Sequence, residues 1–541
     1  MNKKHFFLSV TSGLLLYAGW SNQPFGILTL TAFVPLLVIE ADLLATSPKG
    51  SGRKFFKYSY LAFFIWNLLS TWWIYFATPP GAVAAVVLNA LFYTVVFWLY
   101  HITRKHLGNR VGDIAFVTYW IAFEYIYLHG EISWVWLVLG NAFANTPELV
   151  QWYEYTGTLG GSLWVLLTNL SIYRTLECFT GTTACENPKI KYFRTASSIL
   201  LFIIPVTLSL FIYNTYKETG PTVGLVVTQP NIDPYNDKFS GRIPPYDQIL
   251  RITETAKPLI DDSTEYVIAP ETAIPVGIWE SQLKESYYLK PFYELISSHP
   301  NLNIVTGATT YVNYGPDKKT ATARNIPGAS EPVYYDAFNT ALHINKKDIG
   351  IYHKSKLVIG VEMIPYPELF SFLNHLIIDL GGTSGSLGTQ KERTVFASTD
   401  GKIKPGVAIC YESIYGEFVT EYVRKGANVL FVITNDGWWS DSPGYKQHFS
   451  FARLRAIETR RSIARSANTG ISGFINQKGD VLLKTGWWVK TAAKHKLHLN
   501  DKITFYVKHG DYIGRIAKLF SALLLLLVVS VGIRNKLNNR L

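Results

Sequence analysis

The chain has 541 residues, of which 48% are hydrophobic, 15% aromatic and only 17% charged, a balance that argues against a wholly soluble protein. Its three cysteines, Cys178, Cys185 and Cys410, exclude a disulfide scaffold and any multi-cysteine zinc or iron–sulfur centre. The formal charge of +12 acquires meaning only from its position, and the chain is divided in this respect: residues 1–214 hold 22 of the 90 charged residues and residues 215–541 hold the rest.

The first part reads as seven apolar runs, at residues 6–20, 26–44, 55–77, 82–102, 113–128, 159–176 and 195–213, and an eighth at 516–533 closes the chain. At about 1.5 Å per residue such runs approach or cross a hydrocarbon core of about 30 Å. Lys3 and Lys4 precede the first run as in a signal peptide, but no small-residue cleavage site follows it, so a retained anchor is expected. Basic residues mark alternate loops. Lys49, Arg53, Lys54 and Lys57 follow run two; Arg104, Lys105 and Arg110 follow run four. Arg174, Lys189, Lys191 and Arg194 flank the gap after run six, and Arg534, Lys536 and Arg540 follow run eight. The loops 21–25, 78–81 and 129–158 contain no Lys or Arg. This alternation places both termini in the cytoplasm. Much of the positive charge then records topology, and a nucleic-acid partner is not expected. The aromatic loop with Trp134, Trp136 and Trp152 is expected to anchor at the membrane interface, and Glu124, inside run five, is the residue of the helical part to watch.

Seven crossings put the polar block, about 222–508, on the far side of the membrane. Short β-branched runs recur there at 222–229, 265–269, 303–309, 339–344, 406–410, 429–434 and 462–466, with helical stretches between them, which reads as an α/β domain. Residues 445–460 have the charge spacing of an exposed amphipathic helix. The glycine-rich stretch 380–390 is expected to be a mobile loop.

Chemistry collects where strands end. APETAIP carries Glu271, GIYHKSKLV carries Lys354, and PGVAIC ends in Cys410. Together they offer a thiol nucleophile, a carboxylate to take its proton and a cation to stabilise a developing oxyanion. Singly, each has an ordinary explanation: a small buried cysteine, a glutamate starting a turn, a surface lysine.

These segments, in this order, resemble the Glu–Lys–Cys constellation of the nitrilase superfamily. With seven N-terminal helices and one C-terminal helix, the chain is similar to the apolipoprotein N-acyltransferase family over essentially its whole length. QPNIDPYNDKF at 229–239, AFNTALHI at 337–344, NDGWW at 435–439, QHFSFARLRAIETRR at 447–461 and ARSANTGISGFINQKG at 464–479 carry the resemblance further, as does SWVWLVLGN at 133–141. The resemblance implies a polytopic α-helical membrane domain (1–214), a nitrilase-like αββα sandwich (215–510) in the periplasm, and a C-terminal helix with a cytoplasmic tail (511–541), all in a bacterial inner membrane.

It also implies roles: Glu271 as general base, Lys354 as stabilising cation, Cys410 as nucleophile. Glu362, Tyr411 and Glu412 would support them, and Trp136, Phe239 and Asn339 would contact substrate. The family commonly reads Leu-Val-Pro-Phe-Gly-Glu where this chain has Leu357, Val358, Ile359, Gly360, Val361 and Glu362, which alters the backbone preferences before Glu362. Phe239 stands where Trp is common, and Val135 where Pro is common. The implied reaction moves an acyl chain from a phospholipid, through a thioester, to the α-amine of a diacylglyceryl-modified apolipoprotein. No metal or cofactor is expected, and the protein is expected to be a monomer. A membrane-tethered amidohydrolase is the alternative enzyme; a noncatalytic scaffold or a transporter would leave the three residues unused.

Overall fold

A computed structural model of the protein describes residues 2–180, 187–328, 330–366 and 386–538. Cys185, Arg540 and residues 380–385 of the glycine-rich stretch lie outside them. The chain divides into two compact units. One comprises Met1–Tyr75, Pro79–Thr215 and His509–Leu541, and the other Phe76–Thr78 and Tyr216–Lys508.

The first unit is helical, and every apolar run lies on helix, with differences from the sequence reading. Run two is broken: a 3₁₀ turn, Gly26–Thr31, precedes the helix Val34–Thr46. Asn169 holds the break, accepting from the Phe33 N–H at 2.7 Å and donating to the Thr29 carbonyl at 2.8 Å. Runs four and five form one hydrogen-bonded stretch, Pro79–His129, interrupted at Gly108, whose φ of 82° is open to glycine without steric cost. Among the described residues, four spans are long and apolar enough to cross a membrane: Gly26–Thr46, Pro79–His129, Pro188–Thr215 and Tyr512–Asn535. The helix Pro188–Thr215 exposes Phe202, Ile203, Ile204 and Phe211, and Tyr512–Asn538 exposes Leu519 and Leu526, as surfaces in contact with lipid would.

Two expectations for this unit are corrected. The tryptophans of the 129–158 loop are not all interfacial anchors. Trp136 is 1% exposed and packs on Trp73 and Trp134 at ring-centroid distances of 4.8 and 5.4 Å, while Trp152 is buried on Tyr153 and Trp164. Their loop folds inward because Glu124 accepts from the Leu139 N–H and the Trp120 indole, each at 2.9 Å. Arg104, read as a loop charge, is also buried: it pairs with buried Glu40 and donates to Tyr100 Oη at 3.0 Å, while Glu40 accepts from His101 Nδ1 at 2.9 Å.

The second unit is an αββα sandwich. Its strands are β1 (Thr222–Gln229), β2 (Thr264–Ile268), β3 (Ile274–Trp279), β4 (Asn303–Gly315), β5 (Arg324–Asn325), β6 (Tyr334–Ile344), β7 (Ile349–His353), β8 (Pro405–Ile409), β9 (Val429–Thr434), β10 (Ile463–Ala467), β11 (Gly473–Ile475), β12 (Val481–Lys484) and β13 (Thr491–His498). Among the described residues the first sheet runs β13-β1-β2-β4-β6-β5, with β3 on β4 and β7 on β6, and the second runs β12-β11-β10-β9-β8. The sheets meet face to face, with Tyr266 of β2 edge-on to Phe431 of β9 at 5.3 Å and Ser466 Oγ donating to the Thr228 carbonyl at 2.7 Å. Helices Pro245–Ala256 and Lys290–Ser298 cover the outer face of the first sheet through Ile249, Ile252, Phe292 and Leu295, which pack with Val226, Val267 and Ile304.

The helix expected to be exposed at 445–460 is Pro443–Thr459, and it is buried on nearly every side. Its polar residues are satisfied inside, as in Arg455 to Glu458 at 2.8 Å. Charge density here marks an internal network, not a solvated face.

Arg104→Met leaves Glu40 without its guanidinium in a dry site, and loss of one partner of a buried pair costs about 3–5 kcal/mol. Thermal unfolding of the detergent-solubilised chain should show a markedly lower Tm, and Glu40→Gln combined with Arg104→Met should lose less than the sum of the single changes.

Candidate active site

Strand ends of both sheets bring the predicted residues together. Glu271 follows β2, Lys354 follows β7, Cys410 follows β8, and Asn339 lies within β6. All four are buried; Glu271 is 6%, Lys354 1% and Cys410 9% exposed. Lys354 Nζ donates to Glu271 Oε1 at 3.0 Å and to Glu362 Oε1 at 2.9 Å. Asn339 Nδ2 bridges the same oxygens at 2.8 and 3.0 Å. Glu362 thus stands beside Lys354 despite the altered sequence before it. Gly360 takes the left-handed backbone at φ 80°, and the Val358 N–H donates to Glu362 Oε2 at 2.8 Å.

Burial works against the Lys354 charge, but Glu271, then Glu362 and the Cys410 sulfur, outweigh it and hold the ammonium well above the ordinary lysine range. The thiol behaves oppositely. Burial, then the charge of Glu271, pushes the Cys410 pKa up, and Lys354 reduces this shift without reversing it. The resting group is therefore a thiol, which could act as a nucleophile only where a base takes its proton.

Cys410 has φ 52°, the left-handed region, and opens a 3₁₀ turn, Cys410–Ile414. For a non-glycine residue this is strained backbone, and buried side chains hold it. Glu412 is not at the reacting atoms: it accepts from the Ile409 and Ser355 N–H groups at 2.8 and 2.7 Å and from Tyr352 Oη at 2.7 Å, tying the nucleophile's turn to the segment after Lys354. Burial pushes its carboxyl up, against those bonds. Tyr411 is buried edge-on to Tyr415. Phe239 stacks on Trp438 with centroids 6.3 Å apart and planes 5° apart. Trp136 belongs to the helical unit.

Sequence reading missed a second layer. Lys238, buried, donates to the Glu271 carbonyl at 3.2 Å and to Thr272 Oγ1 at 2.7 Å, holding Thr272 at φ 47°. Burial, opposed by Glu271, brings its pKa down to about 7; the neutral amine still donates. Behind Cys410, Ser413 Oγ donates to the Cys410 carbonyl at 2.7 Å, and His448 Nε2 lies 3.1 Å from the same oxygen. Burial, then Arg465, lowers the His448 pKa, and its Nδ1 lies 2.9 Å from Asp436 Oδ1. Asp436 also accepts from Arg465 and from Thr434 Oγ1. Beside Glu271, Asn435 donates its backbone N–H to Oε2 at 3.1 Å. The signal for this layer lay in NDGWW and QHFSF, quoted for resemblance and not for chemistry.

Residues 12–171 match the family described as Apolipoprotein N-acyltransferase N-terminal domain, and residues 245–503 match Carbon-nitrogen hydrolase. The apolipoprotein N-acyltransferase of Chlorobaculum tepidum is 31% identical over 524 residues, covering 95% of this chain and 94% of that protein. The chain belongs to the apolipoprotein N-acyltransferase family. The Geobacter metallireducens apolipoprotein N-acyltransferase is 25% identical, covering 94% of this chain and 92% of its own. Among solved structures, the chain is similar to Saccharomyces cerevisiae Nit3, a member of branch 10 of the nitrilase superfamily, with a TM-score of 0.34 and 14% identity over 52% of this chain and 92% of that one.

Two measurements check this geometry. A Cβ on Gly307 would stand 2.4 Å from the Thr272 nitrogen and 2.6 Å from the Glu271 Cα. Gly307→Ala should displace the carboxylate and slow Cys410 acylation by about 10²-fold, the scale of a 1 Å misplacement. Asp436 titrates at about 2: burial would raise it, but Arg465 and then His448 outweigh burial. Its unfolded value is about 3.9, so its stabilisation is full above that value and fades as pH falls toward about 2. Melting curves across that range should show Tm falling more steeply with acid in the wild type than in Asp436→Asn.

Proposed function

We propose that this membrane protein transfers an acyl chain from a phospholipid, through a thioester on Cys410, to the N-terminal α-amine of the diacylglyceryl-cysteine of apolipoproteins. The observation that carries the reading is the buried Lys354 bonded to Glu271 and Glu362, within electrostatic reach of a protonated Cys410 on a left-handed turn.

In the first half-reaction Glu271 takes the Cys410 proton as sulfur attacks the ester carbonyl, and the lysophospholipid oxygen leaves with that proton. Lys354 and backbone N–H groups of the turn at Cys410 stabilise the oxyanion. Asn339 keeps the two carboxylates in place through Nδ2, and its Oδ1, unpartnered among the described residues, is an acceptor for the incoming amine N–H. An α-amine pKa of about 7.7–8.0 leaves enough neutral nucleophile near neutrality for direct attack. Glu362 stabilises charged Lys354. Phe239 and Trp438 offer an aromatic wall suited to an acyl chain. The charge pattern of the loops supports a catalytic unit on the periplasmic side of the inner membrane, with both termini in the cytoplasm.

Phospholipid alone should convert the wild type to an acyl adduct visible by intact-protein mass and removed by hydroxylamine. Adding a diacylglyceryl peptide should then discharge it as N-acyl peptide; release of free fatty acid instead would identify a hydrolase. Cys410→Ala should form no adduct, and Glu271→Gln should slow its formation by about 10²–10⁴-fold. A wild type that never acquires an acyl group overturns the reading.

A further inference from the structure

The orientation of one buried amide in the site wall follows from its neighbours. The Ile232 N–H donates to Asn468 Oδ1 at 3.1 Å, and the Ile232 carbonyl accepts from Asn468 Nδ2 at 2.7 Å. Only one orientation of the Asn468 amide satisfies both. Its second Nδ2 hydrogen then goes to Asn435 Oδ1 at 3.1 Å. Asn435 is thereby turned with oxygen toward Asn468 and nitrogen away from it, because the flipped amide would set one NH₂ against another. Asn435 is 2% exposed, and its Nδ2 has no hydrogen-bond partner among the described residues. A buried donor without an acceptor is costly and rare.

Its location gives that donor a use. Asn435 directly follows β9, whose Ile433 pairs with Ile409, the residue before Cys410. Its own N–H is bonded to Glu271 Oε2 at 3.1 Å. The unpaired NH₂ therefore belongs to the strand end beside the nucleophile's, on a residue fixed to the proposed base.

We propose that Asn435 Nδ2 is a catalytic hydrogen-bond donor to the acyl carbonyl oxygen in both half-reactions, acting with Lys354. The proposal rests on acyl transfer through Cys410. As the Cys410 C–S bond forms, the carbonyl π pair moves onto oxygen, where the Asn435 N–H meets it. The pair returns as the ester C–O bond breaks, and the lysophospholipid oxygen takes the proton that Glu271 received from the thiol. In the second half-reaction the amine nitrogen adds, the pair moves onto the same oxygen, and it returns as the C–S bond breaks. The amine proton passes through Glu271 to sulfur. The ligand at Nδ2 must be an acceptor, which fits an acyl oxygen and excludes an ammonium.

The test uses the full-length protein in nanodiscs of phosphatidylethanolamine, without acceptor, read by intact-protein mass. Asn435→Ala and Asn435→Leu should slow single-turnover acylation by about 10²–10³-fold, as loss of an oxyanion donor does. Half-saturation by donor lipid and the pH midpoint should not move, because the bond to Glu271 is from the main chain. Carbon-13-edited infrared spectra of the wild-type acyl-enzyme should place the thioester carbonyl at lower wavenumber than an unbonded thioester. A wild-type band at the unbonded position overturns the proposal whether or not the variants fold, as does near-normal acylation in Asn435→Ala. No adduct in the wild type rejects the acyl-transfer reading itself.

Discussion

The geometry of the site depends on a lysine kept charged without water. Lys354 at 1% exposure would lose its proton in an apolar pocket, yet Glu271 and Glu362 each hold it at about 3 Å. The relation is mutual, since the ammonium donates to both carboxylates and Asn339 Nδ2 bridges the same two oxygens. This ion triad, with Asn339, links the ends of β2 and β7, the middle of β6 and the turn at Val358–Glu362. It also sets the state of the nucleophile. Burial first, and then the charge of Glu271, disfavour a standing thiolate, and Lys354 opposes them without prevailing. On the proposed mechanism, Cys410 stays a thiol until a carbonyl arrives and Glu271 can take its proton in the same step.

Around the triad the chain accepts backbone strain and holds it with hydrogen bonds. Thr272 and Cys410 are both left-handed. Lys238 fixes the first and Ser413 the second; each bond falls on a carbonyl or hydroxyl of the strained turn or its immediate neighbour. Positions whose side chains touch no substrate therefore have stakes in the chemistry.

The parts of this architecture legible in the sequence were those with local signatures. Apolar runs marked helices, and continuous β-branched runs marked β1, β2, β9 and the other strands buried on both faces. The strands that escaped notice have reasons to read otherwise. β3, IPVGIW, contains Pro and Gly; β13, TAAKHKLH, is an edge strand whose lysines and histidines suit a half-exposed position. Glu271, Lys354 and Cys410 could be picked out because strand ends carry chemistry. Asn435, Asp436 and His448 could not, since an amide or imidazole in a polar stretch announces nothing until its partners, distant in sequence, are known. The buried helix Pro443–Thr459 and buried Arg104 mislead for one reason: charge reads as solvation, whereas these charged groups have partners inside the fold, Glu458 on the same helix for Arg455 and Glu40 on another for Arg104.

The closure of the first sheet has a consequence for the protein's synthesis. β1 pairs along its full length with β13, from Thr222 against His498 to Gln229 against Thr491. The first strand of the unit to be made waits for the last, leaving an apolar edge, TVGLVVTQ, open in the meantime. Gln229 leads directly into the segment whose Ile232 orients Asn468 and, through it, Asn435. A chain arrested before residue 491 lacks the covering strand, so nascent or truncated copies are prone to strand-edge association. The edge is shielded only once the final strand of the unit has been made, which ties the solubility of this unit to the end of its synthesis.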